Sequence, residues 1–132
     1  MTVEKNISLA NFLFADSASR NIDAAGFKVL IPRNVRSKED LFRALLQEFK
    51  FPYFGANWDA LRDCLRDLSW ISEDRVVVVH EDLPFLLESE IKIYLEILSE
   101  AVDDWAGDSK EFLVVFPVGV RGRLREFVGD DA

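Results

Sequence analysis

Apolar residues along this chain fall into two patterns. Three are short unbroken runs: FKVLI at 27–31, RVVVVH at 75–80 and EFLVVFP at 111–117. Runs of this length, closed by proline or by charges, predict strands. The middle run is β-branched and does not alternate with polar residues, which predicts a strand buried on both faces, as in a parallel sheet. Elsewhere the spacing is helical. In SKEDLFRALLQEFK, 37–50, Leu41, Leu45 and Phe49 recur every fourth residue, joined by Phe42 and Leu46. Ser37 is placed to cap that helix, with Asp40 three residues on as in a capping box, although Asp is shorter than the usual Glu. Pro52 to Ala56 break the pattern, and Asn57 is placed to cap a second helix that runs to about Leu68. In 89–105, Ile91, Leu95, Leu98, Val102 and Trp105 alternate steps of four and three, predicting a third, amphipathic helix.

The order strand, helix, helix, strand, helix, strand predicts an α/β fold. Its expected core is a small three-stranded, mostly parallel sheet packed with helices through right-handed crossovers. The expected domain is 26–117, with 1–25 as an N-terminal extension and 118–132 as a C-terminal tail. Within the extension, ISLANFLF fits either a strand or one turn of helix, and 17–21 reads as loop.

The chain has 132 residues, enough for one domain with a core that needs no staples. Eleven phenylalanines predict an interior rich in aromatic rings. With 24 acidic and 16 basic residues the formal charge is −8. Such a chain repels nucleic acid and anionic membranes and attracts cationic partners, although acidity also serves solubility alone. One cysteine, Cys64, and one histidine, His80, leave no internal disulfide and no material for a zinc site. The first residues lack the basic start and apolar run of a signal peptide, and no stretch has about twenty consecutive apolar residues. The cytoplasm is the expected location.

Candidate chemistry concentrates in PYFGANWDALRDCLRDLSW, 52–70. On a helical wheel of ~100° per residue, Leu61, Cys64, Leu65 and Leu68 share one side. Asp59, Asp63 and Asp67 lie opposite, within an arc of about 80°, flanked by Arg62 and Arg66. A solvated face with local pairs, Asp59 with Arg62 and Asp63 with Arg66, is one account; such exposed pairs contribute only a few tenths of a kcal/mol. The other is a partner's cationic pocket. Carboxylates on successive turns stand roughly 6 Å apart along the axis, a spacing at which they can take the places of phosphates. Arg and Lys would answer with charge-assisted bonds, and Tyr53 and Phe54 would supply an apolar anchor.

The string PYFGANWDALRDCL resembles the central motif of the barstar family: an aromatic pair, Gly, any residue, Asn, a large apolar residue, Asp-Ala-Leu, a variable residue and Asp-Cys-Leu. The resemblance covers roughly 26–117. It implies a barstar-like fold and a bacterial immunity protein that inhibits a ribonuclease from within the cytoplasm. Its motif helix and preceding loop would enter the enzyme's active site and stand in for RNA phosphates. The partner-binding residues carried over are Tyr53, Phe54, Gly55, Asn57, Asp59, Arg62 and Asp63. Glu100, followed by Ala101, and Asp104 fit the acidic pair of the family's later helix. Asp67 lies toward the motif's far end and is expected to contribute little. There are departures. Arg62 occupies a slot that is often Trp, Phe54 lacks a hydroxyl, Asp67 and Leu68 replace Gly and Trp, and the family's cysteine near the last strand has no counterpart. A cation at Arg62 is unwelcome against a basic enzyme, and the departures together make a nuclease other than barnase the expected target.

The expected partner is thus a small basic ribonuclease, with the free chain a monomer, no cofactor and no metal. The alternative is a barstar-like interaction module for another cationic protein. An enzyme is not expected. Asp59 with Asp63, or Glu100 with Asp104, would need one desolvated member to work as acid and base, and they sit on exposed faces. Cys64 faces the core, His80 reads as a structural residue, and no phosphate loop, nucleophile elbow or metal motif is present.

Overall fold

The computed structural model describes residues 7–16 and 26–128. Within them the strands are β1 (Leu13–Ala15), β2 (Phe27–Ile31), β3 (Arg75–His80) and β4 (Glu111–Pro117). The helices are α1 (Lys38–Phe49), α2 (Trp58–Asp67), α3 (Glu88–Trp105) and α4 (Arg121–Val128). All pairings are parallel, in the order β1-β4-β3-β2. The sheet thus has four strands where the sequence predicts three. The added one is three residues long and follows a 3-10 turn at Leu9–Asn11, so ISLANFLF contains both a turn of helix and a strand. So short a strand carries no periodicity of its own; pairing with β4 fixes it. The segment after β4 likewise forms a 3-10 turn and then α4, whose Leu124 is buried. Residues 17–21, expected as loop, lie outside the described residues.

Register explains the burial. Val29, Val78 and Val114 sit side by side across β2, β3 and β4, as do Phe27, Val76 and Phe112. This face joins the apolar sides of α1, α2, α3 and α4 in one core. On the other face Leu30 of β2 and Leu13 of β1 are exposed. Central β3 has Val76, Val77 and Val78 all buried, the two-sided burial its unbroken run predicts.

The helix ends follow their capping chemistry. Ser37 accepts from the Asp40 amide at 3.0 Å, while the Asp40 carboxylate reaches back to the Arg36 amide at 3.1 Å. α1 closes on Lys50 in the left-handed region, φ 58°. At the sheet edge the Glu48 carboxylate accepts from the Leu30 amide at 3.0 Å. No helix among the described residues is long and apolar enough to cross a membrane.

One polar pair lies deep in the core. The His80 Nδ1–H donates to the Val115 carbonyl at 3.0 Å, which leaves Nε2 to accept from the Tyr94 hydroxyl at 2.7 Å. The ring stacks on Phe116 at 4.1 Å. Burial lowers the imidazole pKa from 6.5 to about 4, against a smaller opposing effect of the Val115 carbonyl, and lifts the Tyr94 phenol above its usual range. The fold holds the neutral ring, whereas the unfolded chain binds a proton below pH 6.5. The stability this supplies is therefore complete above pH 6.5 and is lost as pH falls toward 4. The loss is on the order of 3 kcal/mol. Urea unfolding across this range should show that extra loss in the native chain and not in His80→Gln; equal pH dependence in both would refute it.

Candidate functional site

α2 owes its placement to its two ends. At the start, Asn57 Oδ1 accepts from the Ala60 amide at 2.8 Å, while its amide group leans to the Gly55 carbonyl at 3.4 Å. Ala56, immediately before it, sits in the left-handed region at φ 57°, a conformation that costs a non-glycine residue about 1 kcal/mol. At the end, Leu68 adopts φ 48° and closes the helix. Two tryptophans then satisfy carbonyls that helix ends leave open. Trp70 Nε1 donates to Phe49 O of α1 at 2.9 Å, and Trp105 Nε1 donates to Leu65 O of α2 at 2.8 Å.

The loop between α1 and α2 is fixed by rings. Phe51 stacks on Phe49 at 5.0 Å, and Phe54 packs inward on Phe51 at 5.0 Å and Phe42 at 5.4 Å. Trp58 closes the other side of Phe42 at 4.9 Å. Phe54 is therefore a partly buried support for the loop, and Tyr53 is the half-exposed aromatic at its tip. Tyr53 is not loose. Its ring meets Trp70 edge-on at 6.2 Å and its hydroxyl donates to Asp67 at 2.5 Å. That bond raises the phenol pKa to about 12, and it lowers that of Asp67, with Ser69 adding to the second effect. The sequence reading gives Asp67 little to do; the structure gives it the tyrosine. The partner is fourteen residues away across a loop, beyond any helical spacing rule. Cys64 lies beneath, its thiol donating to the Tyr53 carbonyl at 3.2 Å. Burial first, then the nearby Asp63 and Asp67, pushes the thiol up to about 11. This is a buried structural cysteine, not a nucleophile.

α2 and α3 lie side by side and run the same way, as three contacts in step along both helices show. Trp58 meets Tyr94 at 6.5 Å, Arg62 Nε bonds Glu100 Oε1 at 2.9 Å, and Arg66 Nε approaches Asp104 Oδ2 at 3.6 Å. Arg62 also reaches Asp59 at 3.6 Å. The structure therefore brings Tyr53, Asp59, Arg62, Asp63, Glu100 and Asp104 onto one surface, with Gly55 and Asn57 exposed at its edge. The expected local pair of Arg62 with Asp59 is present but long, and Arg66 turns to Asp104 instead of Asp63. Of the four carboxylates Asp59, Asp63, Glu100 and Asp104, three face a guanidinium of this chain. Asp63 is exposed and, among the described residues, makes no side-chain hydrogen bond or ion pair.

A shallow groove runs along this surface between Asn57, Trp58, Asp59 and Arg62 of the α2 side and Ile93 and Glu96 of α3. A larger depression lies at the amino-terminal ends of β3 and β4, near Asp74, Trp105 and Phe112. Its Lys110 amine is held at 2.7 Å by the carbonyls of Ile71 and Glu73, and Arg75 is bound to Glu111 at 2.8 Å. With its cations so committed, the size of that depression does not make it a site. Among the described residues no group of three or more His, Cys, Asp and Glu is placed to hold a metal.

This surface is acidic, Asp59 and Asp63 on it are exposed, and its aromatic tip is fixed in place. The family model described as Barstar (barnase inhibitor) matches residues 27–117. No curated protein and no solved structure matches the chain.

Removing the Asp67 carboxylate should return Tyr53 toward its ordinary pKa of 10. Near pH 10, Asp67→Asn should show tyrosinate absorbance that the native chain lacks. Identical alkaline titrations would mean that the hydroxyl is not held by Asp67.

Proposed function

The chain belongs to the barstar family, and on that premise we propose that it inhibits a ribonuclease by placing α2 and the preceding loop in the enzyme's RNA groove. Asp63 carries this reading. It is the exposed carboxylate of the motif without a partner among the described residues, and it lies near a tyrosine already fixed in place. A nuclease pocket that binds a phosphate presents Arg or Lys there, and these would close on Asp63 with charge-assisted bonds. Tyr53 adds apolar area with little loss of side-chain freedom, because Asp67 and Trp70 already hold it. Asp59, almost wholly exposed, stands about 6 Å along the axis as a second phosphate mimic. The net charge of −8 speeds encounter with a basic enzyme, an effect that salt weakens.

In this reading the chain works in the cytoplasm, needs no cofactor, catalyses nothing itself and is a monomer when free. The second reading is an interaction module for a different basic protein. What favours it is the neutralisation of Glu100 and Asp104 by Arg62 and Arg66, which leaves less negative charge for a nuclease to answer.

The test mixes the chain with a panel of small bacterial ribonucleases, barnase among them, and follows RNA cleavage at low and moderate salt. The expected result is stoichiometric inhibition of at least one enzyme. Asp63→Ala should weaken that inhibition by several kcal/mol, roughly the cost of leaving a buried cation unpaired. This scale belongs to the family's own complex and is carried over from it. Inhibition that Asp63→Ala leaves intact would displace the site, and a chain that inhibits no member of the panel would favour the interaction module.

A further inference from the structure

Arg62 is held differently from the other cations on this surface. Its Nε donates to Glu100 Oε1 at 2.9 Å, and about three-quarters of its side chain is covered, as is that of Glu100. Arg66, one turn on, makes the longer contact to Asp104 and is more than half exposed. Arg66 can swing aside at little cost, whereas Arg62 cannot leave without opening a partly buried bridge between α2 and α3. The guanidinium has five N–H donors. One is spent on Glu100, and a second nitrogen faces Asp59 at 3.6 Å. Among the described residues the remaining donors meet no further acceptor.

We propose that Arg62 is a specificity-determining residue: by neutralising Glu100 from within, it restricts the site to partners that present a hydrogen-bond acceptor, and not Arg or Lys, opposite the Arg62–Glu100 pair. The inference rests on the inhibitor reading and narrows it. A partner cation arriving there meets a fixed guanidinium in a contact that excludes water, and like charges so placed cost affinity. A carboxylate or carbonyl arriving there meets open donors. The pocket opposite Asp63 still requires cations. The matching enzyme therefore has a basic phosphate pocket bordered by an acidic or neutral patch, a charge pattern unlike that of a groove basic along its whole length. Repulsion of the wrong partner is a recognised route to specificity, and one residue supplies it here.

Barnase serves as the probe, because a groove that binds RNA phosphates carries cations along it. Its affinity is measured by titration calorimetry for the native chain, Arg62→Gln, Arg62→Lys, Glu100→Gln and the double variant R62Q/E100Q. Thermal unfolding of each verifies the fold. Arg62→Gln should bind barnase roughly tenfold or more tighter than the native chain, and more so at low salt. Arg62→Lys keeps the charge and should stay near the native value. The gain should vanish when Glu100 is also replaced. A merely structural bridge predicts the opposite, a loss of affinity and melting temperature in Arg62→Gln. If Arg62→Gln binds no better than the native chain, or gains as much without Glu100, the proposal is overturned. The inhibitor reading fails on a separate measurement, the native chain's inability to inhibit any nuclease of the panel.

Discussion

A succession of ring contacts ties the exposed surface of this protein to its sheet. Phe27 on β2 meets Phe49 at the end of α1, and Phe49 stacks on Phe51 at the start of the loop. From there the contacts run through Phe54 and Phe42 to Trp58 at the head of α2. Tyr94 of α3 then passes them to His80 and Phe116 in the centre of the sheet. Each contact adds roughly 0.5–1.5 kcal/mol beyond the area it buries, and each also fixes an orientation. The loop that carries Tyr53 has no regular hydrogen-bond ladder of its own. Its shape comes from these rings, from the Cys64 thiol below and from the Trp70 indole beside it. The left-handed Ala56 is held between the ring-fixed loop and the Asn57 cap of α2.

Rigidity beneath and charge above are linked through α2. Its buried side, Leu61, Cys64 and Leu65, is committed to the core, so its outer side cannot turn. Arg62 and Arg66 then cross to α3, and Trp105 returns from α3 to the last turn of α2. The two helices act as one plate. On that plate Asp59, Glu100 and Asp104 face the chain's own guanidinium groups, and among the described residues Asp63 does not. A surface with a net charge dispersed over many solvated acids steers partners weakly and from any direction. In the proposed complex, a carboxylate without such a counter-charge beside a fixed aromatic ring would give the encounter a point and an angle.

Much of this fold is legible in the sequence, because its strands and helices announce themselves by period and by punctuation. RVVVVH and EFLVVFP are strands over the residues their runs mark, and Asn57 caps α2. The fold class and the family follow from those elements and the motif. What escapes is what depends on distance in sequence. β1 is three residues that become a strand only beside β4, and α4 is defined by burial of Leu124 against the core. The hydrogen bond of Tyr53 with Asp67 crosses a loop, and the bridge of Arg62 with Glu100 crosses between helices. A wheel drawn on one helix finds Asp59 as the mate of Arg62, because i and i+3 are all it can see; the nearer mate belongs to another helix.

Glu48 also acts on the edge of the sheet. β2 is an outer strand, with the Leu30 side chain exposed and an amide that no strand among the described residues claims. Glu48 reaches from α1 and takes that amide. An extended segment from another molecule could add to the sheet there only by displacing that carboxylate from its donor. The helix thus guards the border of the sheet against intermolecular strand addition, the first step toward aggregation of a chain with open backbone edges.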